Sequence, residues 1–178
     1  MKTNWEKSAS EKIGEMILTA AKTAPKAKGL DTLSMGIADI DDINKILDEM
    51  KSLYDERKLH LFDRDAKNLQ DSDLLLLFSV KNGTLGLNCG ACGKTCAEVA
   101  KEPFTKTDDY NGVVCMFKIM DLGIALGSAC RTAMDLCVDN RLMYSIGLAA
   151  KRAKVFEGDI VIALPINISG KNIFFDRK

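Results

Sequence analysis

The sequence predicts a mixed α+β layer fold, and three observations carry that prediction. Apolar residues recur at helical spacing in five segments, three apolar runs have the length and flanks of strands, and helices outnumber strands. With 178 residues and 47% hydrophobic content, the chain is expected to form a single domain over 1–178 with a sizeable core.

The first helix is expected to begin at Ser8, with Glu11 three residues on completing a capping box. Ile13, Met16, Ile17, Ala20, Ala21 and Ala24 then follow at helical spacing and should form a core face. Pro25 ends this helix, because the residue before a proline disfavours helical dihedrals. Leu33 to Ile37 alternates and suits a strand. Asp39 can cap a second helix bearing the stripe Ile43, Leu47, Met50 and Tyr54.

A short polar helix over Arg64–Gln70 leads into Asp73–Val80, whose continuous apolar run between polar flanks predicts a strand buried on both faces. Residues 81–112 read as an irregular, glycine- and cysteine-rich centre. The helix over 116–136 gathers Lys118, Asp121, Ser128, Arg131, Thr132 and Asp135 in one narrow arc and is otherwise apolar. Such a helix belongs in a core or at a subunit interface. A further helix over Met143–Lys154 and a last strand over Gly158–Pro165 complete the pattern.

Charge excludes some functions. Twenty-five basic and twenty-five acidic side chains cancel, and no basic stripe suggests a nucleic-acid partner. The one dense basic run, Lys151-Arg152-Ala153-Lys154, is expected on the solvated side of a helix. The start of the chain lacks the apolar core of a signal peptide. Its longest apolar region is broken by Lys118, Asp121, Arg131 and Asp135, too often for a membrane span. A reducing cytoplasmic location is therefore expected, where six cysteines do not read as three disulfides.

The cysteines carry the chemistry. Asn88-Cys89-Gly-Ala-Cys92-Gly-Lys-Thr-Cys96 packs three thiols into eight residues, and Cys115 follows after eighteen more. Gly90 and Gly93 allow left-handed backbone, which lets such a loop wrap one centre and turn amides toward its sulfurs. A fourth thiolate from a distant segment would complete a shell of four cysteines. Structural zinc also takes four thiolates, although zinc ribbons carry two CxxC knuckles and this chain has one. Plain buried thiols are the third reading. Cys130 and Cys137, on one face of the long helix, read as small core residues.

Four blocks also resemble a known family: Leu87–Gly93, Ile119–Ser128, Val138–Tyr144 and Gly170–Arg177. It is the uncharacterised family described as containing a ferredoxin domain. The cysteine segment, 87–115, is similar to small 4Fe-4S domains with ligands in the order C-x2-C-x4-C and a distant cysteine. That resemblance implies Cys89, Cys92, Cys96 and Cys115 as ligands, with three residues rather than four between Cys92 and Cys96.

A second resemblance is to flavin-dependent nitroreductases. It rests on Ala20–Gly29, on the glycine-bearing central helix, and on Ile160–Pro165 as a central strand. It implies a nitroreductase-like three-layer sandwich with the cysteine loop inserted, a homodimer, and FMN whose phosphate would meet Lys26, Lys28, Lys171 and Arg177. The paired arginine–serine motif that opens nitroreductases is absent, and Lys26 stands where they have serine. Together the resemblances imply a redox protein passing electrons from a 4Fe-4S cluster to FMN, and then to a partner protein or small-molecule acceptor. The alternative is a non-enzymatic binding or assembly module with a structural four-cysteine site, filled by zinc or a cluster.

Other chemistry has little support. His60 is the sole histidine and reads as an exposed helix-end residue. Asp41-Asp42 and Asp108-Asp109 are better explained by capping and turns. Gly123 and Gly127 are expected to allow close helix packing.

Overall fold

The computed structural model describes residues 5–101 and 107–175. A four-stranded antiparallel sheet, in the order β1-β2-β4-β3, comprises β1 (Leu33–Ile37), β2 (Leu74–Val80), β3 (Asp139–Asn140) and β4 (Ile160–Asn167). Helices α1 (Glu6–Thr23) and α5 (Met116–Asp135) cover one face. Helices α2 (Ile40–Arg57), α3 (His60–Gln70) and α6 (Tyr144–Arg152) cover the other. A short helix, α4 (Cys96–Lys101), lies in the cysteine-rich segment. This is a three-layer sandwich.

The strand period of two sorts the core. Leu74, Leu76 and Phe78 point toward α1 and α5, with Leu164 and Ile166 of β4 beside them. Leu75 and Leu77 point to the other layer, with Val161 and Ala163. Every residue of β2 is buried, as its unbroken apolar run predicts, although both its neighbours are antiparallel. Pro165 is tolerated inside β4 because its nitrogen has the same parity as Ala163, which bonds toward Met143 rather than β2.

Several expectations change. α1 starts at Glu6 with Trp5 at its cap position and no side-chain cap bond, so Ser8 is already helical and the Ser8–Glu11 box does not form. Met16 lies 52% exposed; the inner face is Ser10, Gly14, Ile17 and Ala21. Gly14 faces Leu74, whose Cδ2 would lie 2.4 Å from any Cβ there, so the helix approaches the sheet too closely for a larger residue. Asp39 does cap α2, accepting from the Asp42 amide at 2.9 Å. α3 begins four residues ahead of Arg64, with exposed His60 at its start.

The basic run is only partly solvated. Arg152 is ion-paired with Glu49 at 2.7 Å and Glu56 at 3.0 Å, and half-buried Lys151 donates to the Asp109 carbonyl. α5 is the larger surprise. Part of its polar arc faces inward: Lys118 donates to the Lys81 carbonyl, Asp121 accepts from the Ala27 amide, and Ser128 donates to the Ala20 carbonyl, whereas Arg131 and Asp135 stay exposed and pair with each other. Its outer face exposes Met116, Ile119, Met120 and Ile124. Gly123 and Gly127 also lie there, with nothing within 4 Å of a Cβ, so they permit no close packing within one chain.

Candidate metal centre

The cysteine segment departs from the end of β2 and is shaped by backbone positions that only certain residues adopt. Gly90 and Gly93 have φ of +69° and +81°, and Asn88 has +49°. A turn closed by Gly93 N–H to Gly90 O at 2.8 Å carries Cys92, and Cys89 immediately precedes it. Thr95 and Glu98 then start α4 with a capping box. The Thr95 amide donates to Glu98 Oε2 at 2.6 Å and the Glu98 amide to Thr95 Oγ1 at 3.2 Å. This box was legible as Thr95-Cys-Ala-Glu98 but is obscured by the irregular composition around it.

Cys96 is thereby the first residue of α4, and Cys115 is the N-cap residue of α5, with its carbonyl accepting from Ile119 N at 3.2 Å. Two of the four thiols thus stand at helix N-termini. The Asn88 amide also points at Cys96 Sγ from 3.2 Å, an N–H···S contact of the kind that supports a thiolate.

All four sulfur-bearing residues, Cys89, Cys92, Cys96 and Cys115, line one narrow pocket. Leu87, Val99 and Phe117 supply its apolar walls. Cys89 is exposed, whereas Cys92, Cys96 and Cys115 are partly buried. Among the described residues, no three His, Cys, Asp or Glu side chains are gathered in the way that a single metal ion requires. Cys130 and Cys137 lie elsewhere; Cys130 packs against the α1–α5 core and Cys137 is exposed after α5. Burial pushes the Cys130 thiol up, in keeping with an inert core position.

The basic residues proposed for a phosphate do not form one constellation within a chain. Lys26 commits its ammonium to the carbonyls of Lys22, Ala24 and Ala21 at 2.7, 2.8 and 3.4 Å, which terminates α1 and leaves no donor for an anion. Lys28 donates to the Leu85 carbonyl at 3.0 Å and keeps two donors. Lys171 follows β4, beyond the Leu74 end of β2, whereas Lys28 meets the loop leaving the Val80 end. A seven-residue strand, roughly 23 Å, separates those ends. Arg177 lies outside the described residues.

Sequence reasoning missed one cluster outside the cysteine pocket. Asp109, read as a turn residue, is ion-paired with Arg57 at 2.6 Å and accepts from the Tyr144 hydroxyl. Arg57 lies fifty-two residues away in sequence, so no local pattern could have shown it.

Comparison with known proteins places these features. The sequence pattern of the family described as "uncharacterized protein containing a ferredoxin domain" (domain of unknown function 2148) matches residues 111–177. An uncharacterised protein of Archaeoglobus fulgidus is 38% identical over 174 residues, covering 96% of this chain and 94% of that protein. The chain belongs to this family. The family match takes in Cys115 and the three later blocks, while Cys89, Cys92 and Cys96 precede it.

Solved structures share the fold of this family member. Nitroreductase A from Vibrio parahaemolyticus is 10% identical with a TM-score of 0.57, covering 91% of this chain and 60% of that one. A BluB-like flavoprotein from Clostridium difficile is 16% identical with a TM-score of 0.58, covering 94% and 84%. An FMN-dependent nitroreductase from the same species is 14% identical with a TM-score of 0.54, covering 90% and 77%. The fold is therefore nitroreductase-like, and the chain spans 60% of the length of nitroreductase A. No helix among the described residues is long and apolar enough to cross a membrane.

Proposed function

We propose that this chain is an iron–sulfur redox protein in which Cys89, Cys92, Cys96 and Cys115 hold one 4Fe-4S cluster. The observation that carries the reading is the shared pocket: three thiols from a glycine-hinged loop and one from the start of α5 line the same narrow space. A 4Fe-4S cluster takes one thiolate on each of its four irons, which is the number of cysteines that line the pocket. The apolar wall of Leu87, Val99 and Phe117 would limit water access, and the Asn88 amide would support the Cys96 thiolate.

The reading extends to FMN bound where two copies pair. A cluster supplies single electrons and a flavin can convert these to hydride chemistry. The exposed apolar stripe Met116, Ile119, Met120 and Ile124 on α5 supports pairing, since a monomer rarely leaves a long helix face of that kind to water. Lys28 retains donors for a phosphate, and Lys171 would have to come from the second copy to join it. Electrons would then pass to a partner protein or a small acceptor.

The test is anaerobic purification followed by a visible spectrum and iron, sulfide, zinc and flavin assays on one sample. About four iron and four sulfide per chain are expected, with each of C89S, C92S, C96S and C115S losing the visible absorbance. One zinc per chain without sulfide would replace the redox reading with a structural four-cysteine module. Flavin absorbance with no iron would leave a cluster-free flavoprotein.

A further inference from the structure

The segment 107–115 crosses the end of the sheet, from the α2–α6 layer to the first residue of α5. It is held there by side chains that the metal pocket does not use. Asp109 Oδ1 takes the Arg57 guanidinium at 2.6 Å, at the end of α2. Its other carboxylate oxygen accepts from the Tyr144 hydroxyl at the start of α6. Lys151, also on α6, donates to the Asp109 carbonyl at 2.9 Å and lies over the Tyr110 ring at 4.9 Å.

The next residues are pinned in turn. Tyr110 donates to the Val161 carbonyl at 3.2 Å, and Tyr110 and Tyr144 meet edge to face with centroids 6.0 Å apart. Asn82, just past β2, donates to the Asn111 carbonyl at 3.1 Å. Beyond that point the chain enters α5 at Cys115, whose helix side is fastened by Lys118 to the Lys81 carbonyl at 2.8 Å. Cys115 is thus the joint between a clamped strap and a clamped helix.

We propose that Asp109 is a positioning residue for Cys115: its contacts with Arg57 and Tyr144 hold the strap so that this thiol stays in the pocket with Cys89, Cys92 and Cys96. The proposal rests on the four-cysteine reading of the site. A carboxylate is suited to the task because it accepts from two elements at once, and because charge-assisted bonds are the strong ones. The α2–α6 layer would thereby set the position of a ligand lying beyond the sheet.

The experiment uses the full chain as wild type, Asp109→Ala, Cys115→Ser and the double variant. In metal-free protein, pulsed alkylation read by mass spectrometry follows each cysteine. Asp109→Ala should raise the Cys115 rate about tenfold and leave Cys89 within about twofold, the scale expected when a charge-assisted contact holding a segment closed is removed. After reconstitution with iron and sulfide, Asp109→Ala should lose iron to a chelator about tenfold faster than wild type. In the Cys115→Ser background, which should hold no cluster, it should leave the alkylation rates of Cys89, Cys92 and Cys96 unchanged, because Asp109 acts through Cys115.

Unchanged Cys115 alkylation in a folded variant overturns the proposal. So does an equal rise in the alkylation rates of Cys89, Cys92 and Cys96, which would mark a merely structural role. Asp109→Asn, which keeps the side-chain size, decides the same points if Asp109→Ala does not fold. Wild-type protein that takes up no iron refutes the cluster assignment, while the alkylation result still decides whether Asp109 places Cys115.

Discussion

Asn88 and Cys96 grip each other reciprocally across the cysteine loop. The Asn88 amide donates to Cys96 Sγ at 3.2 Å, and the Cys96 amide donates back to Asn88 Oδ1 at 3.1 Å. The pair closes the loop at its two ends, and it requires Asn88 at φ +49°, a region where asparagine is better tolerated than other side chains. The loop is thus braced by protein contacts as well as by whatever its thiols ligate.

Asn88→Ala should therefore loosen this loop without unfolding the sandwich. It removes the Oδ1 acceptor and adds left-handed strain, together about 1.5–2.5 kcal/mol of local opening. Hydrogen exchange at the Cys96 amide should accelerate at least about tenfold. Amides of β2 should keep wild-type protection; a matching loss there would show that the loop and the core open together.

Two glycines should respond in opposite ways to alanine. A Cβ at Gly147 would stand 2.1 Å from the Val161 carbonyl oxygen and 2.9 Å from Ile162 Cα, both backbone atoms that cannot yield. Gly147→Ala should cost about 3 kcal/mol, lowering Tm by about 6–12 °C. Gly123→Ala, in open space on α5, should raise monomer stability by about 0.5–1 kcal/mol. Under the proposed pairing it should also raise the dimer dissociation constant, measured by sedimentation. An unaltered association constant would remove this face from the dimer.

The Asp109 clamp should weaken in acid. The Arg57 guanidinium, and then the Tyr144 hydroxyl, hold the Asp109 carboxyl below its ordinary value despite partial burial. The unfolded chain therefore binds this proton more readily, so the contribution is complete above roughly pH 4 and fades as pH falls through the folded value. The gap in urea midpoint between wild type and Asp109→Asn should shrink below that pH; a constant gap down to about pH 2 would show that the carboxylate charge is not what stabilises. At the alkaline end, burial and the Asp109 carboxylate push Tyr144 up to about 12. Its contribution is thus complete below about pH 10 and lost as pH rises through about 12.

Local signals made much of the fold readable. The largely apolar run of β2, the Asp39 cap and the alternation of β1 each depend on neighbours within a few residues. The α1 start was misplaced because Ser8–Glu11 fits a capping box equally well one turn inside a helix, and only packing settles where the first turn begins. For α5, the polar arc and the apolar surface were both visible, yet how they divide was not: Leu122, Ala125, Leu126 and Ala129 are buried, while Arg131 and Asp135 of the arc are exposed. Lys118, Asp121 and Ser128 turn inward because the Lys81, Ala27 and Ala20 backbone groups wait for them there.

At the site, the spacing of Cys89, Cys92 and Cys96 with Gly90 and Gly93 made one compact cysteine loop readable, and those three residues line a single pocket. These residues lie close in sequence, so backbone geometry alone confines them. Sequence could name Cys115 as a fourth member but could not bring it there. Its arrival in the same pocket depends on where a strap, anchored through Asp109 to an arginine fifty-two residues earlier, crosses the end of the sheet. Contacts across such separations arise only once the helical layers and the sheet have packed, because only packing sets the distance between residues that the chain itself leaves free.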